Sequence, residues 1–509
     1  MESASAVAHH AASGGDKGLK RNAIGYLSNL VISVASTAPG YSLAATLGFI
    51  VAVQGVGLQA PAVLIVSFIP MLCIAFAYRY MNRADPDCGT SFTWVTKGLG
   101  PQLGWLSGWA IVAADIIVMA SLAVIAGTYT FLLFGWNSAA DSTAAVIIAG
   151  VIWIALMTWI CYVGIELSAR TQRWLLTAEL GALALFAVVA LIKVYANNPA
   201  GSLHVQASWF SPFAVSSWSA LADGMLLGIF IYWGWDSGVA VNEESEASEE
   251  GPGRAAVVST LVLVLTYVIV GTAAQAYGGP KLLIDNADDV LSVLGGKVFG
   301  SPLDKLLIIA VLTSASASTQ TTILPTARTT LSMARQRSIP KIFGEVHPRY
   351  QTPTWSTLLM GGVSAIWLVA LLAFNPSQNV LGDSISALGF SICFYYGMTG
   401  IACAVYYRRE LFKSVQNFLF AGLVPLIGAG ILGYIFVKAF HDYSQAGFNY
   451  SKPILGIETP IFIGIGALVL GAVLMVISMF SYRDFFRRRP EAAEEGLLEE
   501  PVEHAAAHI

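Results

Sequence analysis

Four acidic side chains lie inside otherwise apolar stretches of this chain, and any proton or cation chemistry would start from them. Asp115 sits in GWAIVAADIIVMASLAV, Glu179 in WLLTAELGALALF, and Asp223 and Asp236 flank the core of LADGMLLGIFIYWGWDS. An acid at the centre of a membrane helix costs on the order of 2.5–3.5 kcal/mol on insertion scales, so such residues line cavities, relay protons or bond between helices. Glu179 is the leading candidate for a coupling residue, because it lies deep in a segment with no other charge after Arg173. The competing reading for Glu179 and for Asp115 is a hydrogen bond that only ties helices together. Asp223 is expected near the outer surface, in water, and Asp236 is expected to cap a half-helix by accepting its free amides.

Two apolar segments carry breaks. In STAPGYSLAATLG, Pro39 removes a backbone donor and clashes with the preceding turn, and Gly40 loosens the backbone further. In FIYWGWDSG, Gly234 and Asp236 fall inside the apolar stretch rather than at its ends. Irregular backbone at membrane depth is tolerated only where it is buried in protein or lines a cavity. Paired breaks in corresponding positions of two halves mark a transporter's binding site. Half-helices meeting end to end present free amides and free carbonyls, which suit the carboxylate and the ammonium of a zwitterion. Phe230, Tyr232, Trp233 and Trp235 flank the second break, where rings can cover an apolar side chain or close over a cation. The plain alternatives are a packed proline kink and ordinary aromatic packing.

A third stretch, LTSASASTQTTILPTARTTLSMARQRSIP, sets hydroxyls around Gln320 on nearly every face. Small hydroxylated residues mediate close helix packing in membranes; the same residues, Ser318 and Thr319 among them, suit a pore wall or the oxygen ligands of a sodium ion. Its continuation carries Arg328, Arg335, Arg337 and Lys341, and the acidic run Glu243, Glu244, Glu246, Glu249 and Glu250 falls on the same expected face. Ion pairs between the two would latch one gate; solvated charge is the plainer reading.

These residues need a bilayer around them. Hydrophobic residues make up 56% of 509 and charged residues 11%, with a net charge of −4, against about 25% charged in a soluble domain. A spanning helix takes roughly 20 apolar residues, and about twelve such segments are expected: 25–53, 60–80, 103–134, 143–163, 172–195, 218–242, 256–277, 304–333, 355–374, 384–407, 418–440 and 458–482. With the N-terminus in the cytoplasm, only Lys193, Lys281, Lys297, Lys305, Lys438 and Lys452 fall outside; the other 21 of the 27 Lys and Arg residues fall inside. That asymmetry satisfies the positive-inside rule and predicts both termini in the cytoplasm.

The ends and the cysteines add little chemistry. Residues 1–23 and 483–509 read as polar cytoplasmic tails, Met1–Gly18 and the stretch from Pro490 as disordered, and no cleavable signal is expected. His504 and His508 have helical ligand spacing but no third ligand nearby. Five cysteines, four of them (Cys73, Cys161, Cys393, Cys403) in or at the ends of apolar spans, imply free thiols rather than disulfides. No Walker-type loop, HExxH or GxSxG is present, so enzyme chemistry, a cofactor and a metal are not expected.

The chain resembles the amino acid–polyamine–organocation transporter superfamily over nearly its full length. The resemblance rests on FIYWGWDSGVAVNEES with GPGRAAVVS, on ARTTLSMARQRSIPKIFGEVHPRYQTPTWS, and on GIELSARTQRWLLTAE. It implies an all-α fold of twelve helices, leucine-transporter-like: a first repeat over 24–195, an inverted second repeat over 218–407, and two further helices over 418–482. It places Thr37, Ala38, Pro39, Gly40 and Tyr41 at the unwound part of span one, and Ile231, Trp233 and Gly234 at that of span six. Phe230 falls where related exchangers carry a gating aromatic, and Glu179 where some proton-coupled members carry a lysine. STAPGYS departs from the family's glycine-rich signature, and the acid at Glu179 reverses the charge of that lysine. The expectation is a plasma-membrane secondary transporter that imports an amino acid or amine with protons, with Asp115, Asp236, Ser318 and Thr319 assisting Glu179 in coupling or gating. The expected partners are the small solute, H+ and the lipid bilayer, not nucleic acid. Alternatives are an uncoupled exchanger, a sodium symporter, or a nutrient receptor built on a transporter scaffold.

Overall fold

Apolar runs of twenty residues and more, poor in charge, leave the backbone one way to satisfy its own hydrogen bonds, and the chain takes it throughout. The computed structural model describes residues 16–490 apart from 288, 375–378 and 446–448, and among these no β-strand forms beyond isolated bridges. Eleven helical segments of the described residues are long and apolar enough to cross a membrane. Adding the short apolar helix Trp218–Ile231 and the turn of helix that follows it gives twelve crossings, the number expected. His504, His508 and the start of the N-terminal tail lie outside the described residues.

Boundaries differ from expectation where polar residues continue a helix. Span five begins at Ile165 rather than 172, because Glu166, Arg170 and Arg173 are good helix formers that extend it into water. Span seven runs Gly251–Asp285, beyond its apolar core, and is kinked at Gly279–Pro280. Spans one, three, eight and ten are mostly buried, whereas four, five, eleven and twelve turn most of their surface outward. The outward faces carry Ile152, Trp159, Ile366 and Phe480, each more than half exposed. Apolar surface on that scale belongs against lipid rather than water.

The Lys17 end of the bundle is closed by charge. Lys17, expected in a disordered tail, is instead 6% exposed, its Nζ lying 2.7 Å from Asp87 and 2.6 Å from Glu243. Burial alone would lower the Lys17 ammonium, but Asp87, Cys88 and Glu243 raise it overall. Burial likewise opposes the charge on Asp87, yet Lys17 with the Ser332 hydroxyl and the Gly89 amide brings that carboxyl down to about 2. Asp87, Cys88 and Glu243 are close enough together to hold a metal ion, but the Lys17 ammonium fills the place a cation would take. Beside them Arg328 forms a two-pronged pair with Glu244 at 2.8 and 2.9 Å, both side chains wholly buried.

The expected ion pairing between the two runs is present at Arg328–Glu244, but the other pairings differ. Glu243 takes Lys17, Glu250 takes Arg83, and Arg335 donates to the Lys17 carbonyl. Asp223 also departs from expectation: it is half-buried and paired with Lys438 at 2.7 Å rather than simply solvated.

Candidate functional site

Span one breaks where proline chemistry requires it. Its first half, Tyr26–Ser36, stops two residues short of Pro39, which opens the second half, Pro39–Ala52. A residue before proline is disfavoured in the α-helical region and favours extended backbone; Ala38 takes neither, but the left-handed φ 49°, ψ 64°. This left-handed conformation costs a non-glycine residue about 1–2 kcal/mol, so the surrounding contacts must hold it. Gly40, expected to loosen the break, lies inside the second half-helix.

Span six breaks between Ile231, the end of its first half, and Ser237, the start of a four-residue turn of helix. Gly234 adopts φ +112°, and a Cβ there would stand 2.8 Å from the Ser36 carbonyl oxygen. Glycine is thus required twice over, by backbone conformation and by close approach. The two breaks lie against each other. Ser36 and Ser237 share a hydrogen bond of 2.7 Å across them, and Ser318 of span eight donates to the Ser36 carbonyl at 2.8 Å.

Glu179 of span five reaches this junction. One carboxyl oxygen accepts the Gly40 amide at 2.7 Å, one of the orphan donors at the start of the second half of span one. The other oxygen has no hydrogen-bond partner, and the side chain is 0% exposed. Among the described residues no cationic side chain forms an ion pair with it. The neighbouring Tyr41 amide donates to the Ser314 hydroxyl at 3.0 Å. Both amides expected to receive a solute carboxylate are therefore occupied by the protein's own oxygens in this conformation.

A residue not singled out from the sequence, Tyr267 of span seven, binds the carbonyl side of both breaks. Its hydroxyl lies 2.5 Å from the Ile231 carbonyl and 3.4 Å from that of Thr37. A tyrosine in a run of Val, Leu and Thr gave no signal at sequence level, since its partner carbonyls are exposed only by breaks in other spans. The Thr37 hydroxyl turns back onto the Val34 carbonyl at 2.7 Å and so caps the end of its own half-helix.

The other candidates separate into two groups. Phe230 meets Tyr41 edge to face, with ring centroids 6.3 Å apart. Trp233 donates to the Tyr395 hydroxyl, and Tyr395 and Tyr396 lie 3.1 and 2.9 Å from the Asp236 carboxylate. Asp236 therefore does not cap the following turn with its side chain, as was expected; the phenols are better-placed donors because span ten packs directly against it. Tyr232 bonds the Leu64 carbonyl and Trp235 stacks on Tyr396, so these two rings are packing, not pocket. Asp115 accepts from Thr326 at 2.5 Å, joining spans three and eight. Thr319 bonds Ala315 of its own helix.

A cavity of about 320 Å³ leads toward the junction from the end of the molecule opposite Lys17. Tyr41 and Ser121, bonded to each other at 3.0 Å, form part of its wall, and Asp141, Asp289, Phe49 and Tyr450 line it farther out. Tyr129 donates to Asp289. Its charged lining is acidic, with no basic side chain.

A twelve-crossing helical bundle with two interrupted spans meeting at a buried acid, and a vestibule above them, has the architecture of a membrane permease. The chain belongs to the amino acid permease family, whose model matches residues 24–463. It is similar to the serine/threonine exchanger SteT of Bacillus subtilis, 23% identical over 427 residues, spanning 83% of this chain and 91% of that protein. It is similar to the methylthioribose transporter of the same organism, 24% identical over 446 residues, with 82% and 86% covered. The low-affinity putrescine importer PlaP of Escherichia coli is 21% identical over 420 residues, again with 82% and 86% covered.

Proposed function

We propose that this permease imports an amino acid or related amine across the plasma membrane, driven by protons, with its solute held at the junction of spans one and six. The repeat division at 24–195, 218–407 and 418–482 belongs to this reading, supported by a break in the first span of each half. So does an orientation with both termini in the cytoplasm, supported by the bias of Lys and Arg. The vestibule would then open outward and the Lys17 end would be the inner gate.

One observation carries the proposal: Glu179, buried and without a cation, occupies the Gly40 amide. An ionised Glu179 and a solute carboxylate would compete for the same helix terminus, two like charges in a medium of low dielectric. A proton on Glu179 removes that repulsion and weakens its hold on the amide, so proton and solute enter together. Loss of both to the cytoplasm restores the Glu179–Gly40 bond and resets the cycle. SteT is named an exchanger and PlaP an importer, and the acid at Glu179 favours the coupled mode here.

Purified Glu179→Gln protein in liposomes tests this reading. It should keep substrate exchange and lose at least tenfold of the uptake driven by an imposed pH gradient. Uptake in that variant that still follows the pH gradient would remove Glu179 from the mechanism.

A further inference from the structure

On the flank of the bundle, away from the vestibule, spans three, eight, nine and twelve enclose a crevice of about 470 Å³. Its wall includes Trp109 and Val112 of span three, Met333 of span eight, Leu359 and Val363 of span nine, and Ile477 of span twelve. Leu359, Val363 and Ile477 are among the exposed apolar side chains, so the crevice opens on the surface that faces lipid.

Apart from the Ser478 hydroxyl, the polar side chains of its wall are already hydrogen-bonded. Thr326 bonds Asp115, Thr330 bonds the Thr326 carbonyl, and Ser356 bonds the Phe343 carbonyl. The indole N–H of Trp109 is taken by the Ala467 carbonyl at 2.8 Å, and that of Trp105 by Ser338. A cavity with all but one of its side-chain donors satisfied presents mostly carbon to its occupant and discriminates against polar solutes.

Basic side chains cluster on the segments that continue from one end of the crevice. The segment that supplies Met333, Ile339, Pro340 and Phe343 to the crevice also supplies Arg335, Arg337 and Lys341 to an adjoining surface pocket. Span twelve, which supplies Ile477, runs on to Arg483 and to Arg487, Arg488 and Arg489, all exposed. Arg488 donates to the Gln336 carbonyl at 3.2 Å, which brings the two basic segments together. Only Glu345 and Asp484 oppose these charges within 335–345 and 482–490.

We infer that this crevice is a binding site for an anionic phospholipid, with an acyl chain between spans nine and twelve and the phosphate at Arg337, Lys341 and the arginines after span twelve. Carbon inside and cations at one rim match the two parts of that molecule; a basic pocket between membrane helices is a known form of headgroup site. The chain would lie against the flank of span eight that carries Thr326, Thr330 and Met333, about a quarter turn from the face where Ser318 meets the broken span.

Thermal unfolding of the purified protein in mixed micelles tests the site with defined probes. Dioleoyl phosphatidylglycerol should raise the apparent Tm by roughly 3 °C or more over dioleoyl phosphatidylcholine. Glycerol phosphate, which has the headgroup charge and no chain, should give no rise. Val363→Trp, which fills the mouth, and the Arg337→Gln/Lys341→Gln pair should each fold, with Tm near the wild type in phosphatidylcholine, and lose most of the phosphatidylglycerol effect. Equal protection by the two lipids, or full protection by glycerol phosphate, overturns the proposal. So does undiminished protection of both folded variants.

Discussion

The two ends of the molecule are held by opposite kinds of contact. At the Lys17 end, Lys17, Asp87, Arg328 and Glu244 form ion pairs with little or no exposure, and Glu243, partly exposed, joins them. At the other end rings meet along the vestibule: Tyr41 against Phe230, and Phe49 against Tyr450 with centroids 5.2 Å apart. An edge-to-face pair is worth about 0.5–1.5 kcal/mol, and it slides without stranding a charge. A buried pair broken on one side costs about 3–5 kcal/mol, because the remaining charge is left without a partner or water. In the proposed cycle the charged end is therefore a latch that opens all at once, and the aromatic end is a lid that yields by degrees. A permease that must admit solute from one side before releasing it on the other needs that inequality.

The largest effect should come from the heart of the latch. Glu244→Ala leaves the Arg328 guanidinium wholly buried without its carboxylate and is expected to destabilise by about 3–5 kcal/mol. This would be read as a large fall in Tm. The double substitution Arg328→Met, Glu244→Leu should recover most of that loss, since apolar pairs of similar volume often replace buried ion pairs without cost. If Glu244→Ala unfolds at the wild-type temperature, the latch is not under the load assigned to it.

Lys17→Met should cost less, about 2 kcal/mol, because Glu243 is partly exposed and water can take over part of its solvation. Its signature is a dependence on pH. Asp87 in the wild type is held at about 2, below its ordinary value of 3.8. Its contribution to stability is thus complete above about pH 4 and lost as the pH falls toward 2. Lys17 is shifted the other way, above 10.5, so its contribution holds below that range and fades only as pH rises through the raised value. Between these limits the Lys17–Asp87 pair should be flat in pH. Without Lys17 the force holding Asp87 down is gone while burial remains, so in Lys17→Met the acid-side loss should move upward from pH 2. Parallel melting curves from pH 3 to 7 for the two proteins would show that no such shift exists.

The same contrast explains what could be read from the chain alone. Span number and both breaks follow from local signals: apolar length, Pro39 and Gly234; opposite charges on one expected face pointed to ion pairs between the two runs, but not to which residues pair. Contacts between distant segments left no such trace. Lys17 looked like part of a solvated tail because nothing near it in sequence shows that Asp87 and Glu243 converge on it. Asp236 seemed a cap because the tyrosines that bind it, Tyr395 and Tyr396, lie some 160 residues away. Tyr267 was overlooked for the same reason. Glu179 was legible as a buried acid, but its partner was not: only the folded chain sets it against the Gly40 amide.

The smallest effect on stability, and the sharpest test of the lid, belongs to Tyr450. Its ring lies on Phe49 at the vestibule wall, and its backbone amide, with the amide and hydroxyl of Ser451, is held by the Asp383 carboxylate of span ten. The anchor is backbone, so Tyr450→Ala should remove the ring without releasing the segment, at a cost of no more than about 1 kcal/mol. A wall that only shapes access should alter entry more than turnover. The variant should show a KM changed severalfold with kcat within about twofold, because only binding contacts common to ground and transition states are lost. Phe230→Ala, at the floor beside the broken span, should instead lower kcat, since its ring meets Tyr41 where the solute must be enclosed. If Tyr450→Ala and Phe230→Ala change the same parameter by the same factor, the outer end works as one rigid gate, and its graded yielding against an all-or-none latch would have to be abandoned.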